Sequence, residues 1–255
     1  WLSCALHMPI SILPKYFLDP YLSFNFPVIQ MKDKKSRNCV LYMSTFPPRE
    51  CGIATFTKDL VDSMDKKFNP ILKSEVLAIN DNGSSIYNYD DKVNFQIDQS
   101  NMEDYISIAK EINDRKDIKL VNIQHEFGIF GGDTGSHLLP FLEKVKKPVV
   151  VTLHSVVPAP DEHKKRIVNT IFRKASAVVV MAKESVRILK EDYGVNDSSK
   201  IFFVPHGVPQ VQFNPENSKD KVHLEDRIIL STFGLMNKGK GIEYVIKSLP
   251  QLVKK

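Results

Sequence analysis

Cysteine is scarce in this 255-residue sequence. Cys4, Cys39 and Cys51 are its only three, with no CxxC pair and no even-numbered framework, so they read as reduced, structural thiols of a cytoplasmic protein. Long apolar runs are lacking too. The first thirty residues are rich in apolar and aromatic side chains, but Pro9, Pro14, Lys15, Asp19, Pro20 and Pro27 break them up. Nothing there approaches the ~20 apolar residues that span a bilayer. The basic start, unbroken apolar stretch and small-residue cleavage site of a secretory signal are missing as well. No transmembrane segment is expected, while peripheral membrane contact by this leader stays open. Charge of one sign is also wanting. Thirty-five basic and 30 acidic residues, mixed along the chain, leave a net charge of +5 with no sustained basic stripe, so no nucleic-acid partner is expected.

What is present is an ordinary globular balance, 42% apolar and 25% charged residues, and a regular alternation that begins at Cys39. CVLYMST suits a buried strand and stops at FPPRECG, where two prolines end any ladder. Ile53, Phe56, Leu60 and Met64 then recur at helical spacing. Strand candidates at 76–79 and 93–97 precede a helix carrying Met102, Ile106, Ala109 and Ile112. LVNIQ at 120–124, PVVVTLH at 148–154 and AVVVM at 177–181 are each followed by an amphipathic stretch. β-branched strands between such helices are what a parallel sheet covered on both faces requires, and the predicted class is α/β, Rossmann-like.

Residues 1–35 read as an irregular leader or artefactual extension, 36–209 as the sheet domain and 210–226 as a linker. Residues 227–255 supply one further strand, RIILSTFG, and a helix bearing Ile242, Val245, Ile246 and Leu249. Two elements cannot close a core of their own, so 227–255 is expected to be the start of a truncated second domain.

Ligand-binding groups of such a domain gather outside the carboxyl ends of its strands. In the first loop, Gly52 permits close backbone approach and the following helix aims unpaired amides at an anion; a plain tight turn is the alternative. The second loop runs through His125, Glu126, Phe127, Gly128, Ile129, Phe130, Gly131 and Gly132. Its backbone can bond the hydroxyls of a carbohydrate while Phe127 or Phe130 covers a sugar face, with ordinary loop packing as the alternative. His125-Glu126 is not a zinc motif, because Ile129 occupies the place of the second histidine in HExxH, and no metal is indicated. His154 can orient a hydroxyl, stabilise shifting charge, or simply bond its own loop. His206 meets ligand or forms cleft wall. Lys238 and Lys240 place two cations beside flexible backbone at a helix start, which suits a diphosphate as well as a solvated turn; the order is not that of a Walker A loop.

Taken in order, TFPPRECGIATF at 45–56, HEFGIFGG at 125–132, TLHSVVP at 152–158, VPHGVP at 204–209 and STFGLMNKGKGIEYVIKSLP at 231–250 resemble the group 1 retaining glycosyltransferases of the GT-B fold. The resemblance covers Cys39 to Val253. It implies two facing Rossmann-like domains, the first mainly for the acceptor and the second for a nucleoside-diphosphate sugar, which serves as co-substrate with no tightly bound cofactor and no obligatory metal. It points Gly52 toward the donor phosphates, His154 toward the transferring sugar and Lys240 toward the diphosphate. Leu235 departs from the family pattern, standing where many relatives carry a phosphate-binding arginine. The implied reaction is transfer of a hexosyl group to an acceptor hydroxyl with retention. The acidic motif expected of the second domain is not in the chain, so residues 1–255 alone are expected to be inactive. A noncatalytic sugar-phosphate binding module and an α/β assembly subunit are the alternatives.

Overall fold

A computed structural model describes residues 38–81, 87–208, 219, 223–232 and 240–253. Seven strands form one sheet: β1 (Asn38–Ser44), β2 (Leu72–Asn80), β3 (Val93–Asp98), β4 (Ile118–His125), β5 (Val149–Leu153), β6 (Ala177–Val180) and β7 (Ile201–Phe203). Every neighbouring pair is parallel, in the order β3-β2-β1-β4-β5-β6-β7. Parallel neighbours need crossovers, and helices α1 (Gly52–Phe68), α2 (Met102–Asp114), α3 (Leu138–Lys144), α4 (Glu162–Lys174) and α5 (Lys183–Glu191) lie between them in sequence. This is the expected Rossmann-like sheet covered by helices, consistent with the first domain of a GT-B protein.

Alternation along each strand sorts the core into two layers. Val40, Tyr42, Val76 and Ala78 face α1 and pack with its Val61. Leu41, Met43, Leu77, Ile79, Val121 and Ile123 face the other way and pack with Tyr105, Ile108, Phe141, Ile167 and Ile171 of α2, α3 and α4. All seven residues of β1 are buried, as a strand covered on both faces must be.

Two expectations shift. In α2 the buried stripe is Tyr105, Ile108, Ala109 and Ile112, with Met102 exposed. Tyr105 is drawn inward, where its hydroxyl donates to the Phe130 carbonyl at 2.9 Å. Residues 227–232 are not a strand: Ile228, Ile229 and Leu230 are exposed, and no strand among the described residues pairs with them. β-propensity without a ladder partner leaves the backbone unpaired, so the pattern alone does not make a strand. Helix α6 (Ile242–Leu252) does form, with no buried residue. The leader lies outside the described residues, as does most of the linker. Among the described residues no helix is long and apolar enough to cross a membrane.

Tyr105 also ties α2 to the loop after β4. Tyr105→Phe is expected to lower stability by about 1–2 kcal/mol, since it leaves the buried Phe130 carbonyl short of a donor. Chemical denaturation of the two proteins measures the difference.

Candidate functional site

The strand order reverses between β1 and β4, and loops leaving the carboxyl ends of these two strands frame the crevice where α/β domains bind ligands. From β1 the chain passes through Pro47, Pro48, Arg49, Glu50 and Cys51 into α1. Arg49 anchors this turn, donating to the Ile79 carbonyl at 2.8 Å and to Gln99 Oε1 at 3.0 Å. The start of α1 has neither a side-chain cap from Cys51 nor an acidic residue in its first turn. Gly52 opens the helix with nothing within 4 Å of where a Cβ would sit. Neither packing nor backbone angle therefore demands glycine there.

β4 and β5 carry a row of polar side chains on the face toward α1. Gln124 and Thr152 are register partners, and Asn122 and His154 flank them at the period of two. Gln124 Nε2 donates to Asn122 Oδ1 at 2.5 Å, and Gln124 Oε1 lies 2.9 Å from His154 Nε2. The His154 backbone N–H donates to the His125 carbonyl at 2.9 Å. Phe56 of α1 presents its ring at 4.7 Å to His154 and at 5.0 Å to the exposed His206, so these three rings meet. Burial, with His206 nearby, lowers the His154 pKa to about 4.

The second loop divides. His125 is the last residue of β4 rather than a loop residue, and it is fully buried. Its ring stacks on Phe130 at 5.5 Å and meets Phe127 edge-on at 5.0 Å, and neither ring nitrogen has a hydrogen-bond partner. Burial drives its pKa down to about 3. In this structure His125 and Phe130 meet protein rather than solvent, and Phe127 is 8% exposed. Glu126 is held by Ser155, whose hydroxyl donates to it, and it accepts from the Phe127 amide at 3.0 Å. Gly128, Gly131, Gly132 and Phe127 line a cleft of about 470 Å³ together with Gln99, Ser100 and Thr134. Gly131 is pressed onto the neighbouring turn: a Cβ would stand 1.7 Å from the Gln99 carbonyl oxygen, at a φ of +63°.

Gly52, His154 and His206 thus belong to the α1 side of the sheet edge, and the glycine loop forms the cleft beside it. Arg49, bonded to Gln99, links the two. Lys240 is exposed just before α6, and Lys238 lies outside the described residues. Among the described residues no group of three or more His, Cys, Asp or Glu side chains could hold a metal ion. Arg49, Phe56 and Gln124 were missing from the candidates. The period-two rows Asn122–Gln124 and Thr152–His154 were a signal for the last; nothing in spacing marked Arg49.

No protein-family model and no curated protein matches the chain. Solved structures do. An α-glucosyltransferase with UDP and a 13-mer DNA containing a central A:G mismatch is 14% identical, covering 57% of this chain and 37% of that one, at a TM-score of 0.41. The α-glucosyltransferase AGT with UDP is 14% identical over 67% of this chain and 44% of that one, at 0.44. A complex with UDP-glucose and DNA containing an abasic site is 13% identical over 67% and 43%, at 0.45. The chain spans less than half of those proteins. The expectation of no nucleic-acid partner is overturned by these comparisons: two of the three structures contain DNA.

The two glycines separate folding from binding. Gly131→Ala is expected to cost on the order of 3 kcal/mol or more, because backbone must move at a left-handed position. Gly52→Ala should leave stability within about 0.5 kcal/mol or raise it slightly. Thermal melts of both variants test the contrast.

The buried imidazoles also set a pH dependence. An unfolded histidine titrates near 6.5, above the folded values of about 3 for His125 and about 4 for His154. The folded chain therefore binds fewer protons in that window. Stability is fully present above pH ~6.5 and is lost as pH falls toward the folded values, at up to ~1.4 kcal/mol per unit per histidine. Urea unfolding between pH 7 and 4.5 should show this slope, and His125→Leu should reduce it; equal slopes in both proteins would contradict the assignment.

Proposed function

We propose that the chain serves a retaining glycosyltransferase, one that moves a hexosyl group from a nucleoside-diphosphate sugar to an acceptor hydroxyl. The observation that carries this reading is the convergence, at the β1–β4 reversal, of an uncapped helix start under open space at Gly52 with His154, Phe56 and His206. First-turn amides with no side-chain partner suit the oxygens of a diphosphate. The rings flanking Phe56 suit the apolar and hydroxyl-bearing surfaces of a sugar.

In the proposed reaction the C1–O bond to the diphosphate breaks and its electron pair leaves on a phosphate oxygen. The acceptor oxygen bonds C1 from the same face, and its proton passes to the departing phosphate. Amides of α1 oppose the growing negative charge, with Lys240 as the cation from the following segment. His154 is neutral at pH 7, so its role in this reading is to orient a sugar hydroxyl rather than to supply positive charge. The cleft formed by Gly128, Gly131 and Gly132 takes the acceptor.

Calorimetric titration of the 255-residue chain against UDP, GDP and ADP tests the donor side, and a panel of oligosaccharides and duplex DNA tests the acceptor side. At least one nucleoside diphosphate is expected to bind. Gly52→Val, whose Cβ meets no neighbour in the fold, is expected to weaken that binding ~10-fold, about 1.4 kcal/mol. Failure of all three nucleotides to bind, or unchanged affinity in the variant, would overturn the reading.

A further inference from the structure

We propose that Gln124 is a positioning residue, whose side-chain amide holds His154 in the neutral tautomer with its proton on Nε2 and thereby leaves Nδ1 as the accepting nitrogen. Gln124 is fully buried near the end of β4 and cannot swing into solvent. Its amide nitrogen is committed on the far side, donating to Asn122 Oδ1 at 2.5 Å with Thr152 Oγ1 at 3.5 Å. The end turned toward His154 is consequently the carbonyl oxygen, 2.9 Å from Nε2, and it has only lone pairs to offer. A neutral imidazole satisfies it in one way, by carrying its proton on Nε2. The hydrogen bond at one ring nitrogen thus decides the chemistry of the other.

The remaining neighbours hold the ring without competing for this proton. Phe56 meets it edge to face, and the backbone is pinned by the His125 carbonyl. The titratable groups near the ring are His125 from the end of β4 and His206 from the segment after β7. Neither imidazole has a hydrogen bond to the His154 ring among the described residues, so the Asn122–Gln124 pair supplies the direction. An acceptor at Nδ1 selects a ligand that brings a hydroxyl hydrogen and disfavours a bare phosphate oxygen. That functional half rests on the glycosyltransferase reading; the tautomer does not.

Long-range proton–nitrogen NMR of the uniformly ¹⁵N-labelled full chain at pH 7 tests the tautomer directly, with His154 assigned by the signals lost in His154→Gln. In the parent, Nε2 is expected to show the shift of a protonated ring nitrogen and Nδ1 that of an unprotonated one. Gln124→Met removes the acceptor, and both nitrogens should move toward the averaged shifts of exchanging tautomers. Gln124→Glu should keep the proton on Nε2 and raise the titration midpoint of His154 by roughly one unit, since a carboxylate favours the imidazolium. Unchanged signals from His137 and His163 check that each variant is folded. A proton on Nδ1 in the parent, or parental shifts in Gln124→Met, would overturn the proposal. If the spectra behave as expected while no nucleotide binds, the glycosyltransferase reading fails and the role of Gln124 stands.

Discussion

Strand β1 is paired on both sides with parallel neighbours, β2 and β4, and every one of its residues is buried. A strand so enclosed forces the chain to leave and return by crossovers, and the direction of travel reverses across it. The loops after β1 and β4 then part company at the carboxyl edge. Three of the places proposed to meet ligand stand at that parting: the start of α1, the end of the β4 row and the tip of β5. The sheet is therefore the source of the site's precision, because the side chains that converge are carried by strands whose register is held by their ladders.

The row on β4 and β5 shows how polarity is accommodated inside such a sheet. Asn122, Gln124, Thr152 and His154 sit on one face in successive hydrogen-bonding reach, so the buried Gln124 amide is satisfied by its half-buried neighbours Asn122 and His154. On the opposite face His125 has no such neighbours and lies among Phe127, Phe130 and the core. Two histidines at adjacent strand tips thus have different environments. One is oriented by a donor–acceptor chain, and the other is simply enclosed and held neutral.

Much of this was legible in the residues and some of it was not. Strand positions followed from β-branched runs, since those runs bury on both faces whatever their neighbours do. The phase of α2 did not follow, because Met102 and Tyr105 are both apolar enough to point inward and a hydrogen bond to Phe130 decides between them. RIILSTFG read as a strand on propensity, but propensity carries no information about a pairing partner. Among the glycines, Gly52 and Gly131 look alike in sequence. One faces empty space and the other touches the backbone of a residue 32 positions earlier, a distance relation that no local pattern encodes. His154 was readable as the end of VVTLH, whereas Gln124 is informative only when two strands are laid side by side.

Arg49 has a wider consequence. One guanidinium joins the turn after β1 to the Ile79 carbonyl at the tip of β2 and to Gln99 just beyond β3, and the Gln99 carbonyl in turn accepts from His137 Nδ1 at 3.1 Å and backs onto Gly131. Four chain segments that are far apart in sequence share a single knot. Local opening of any one of them must loosen the others, so amide hydrogen exchange along this edge has the character of one cooperative unit rather than of four independent loops.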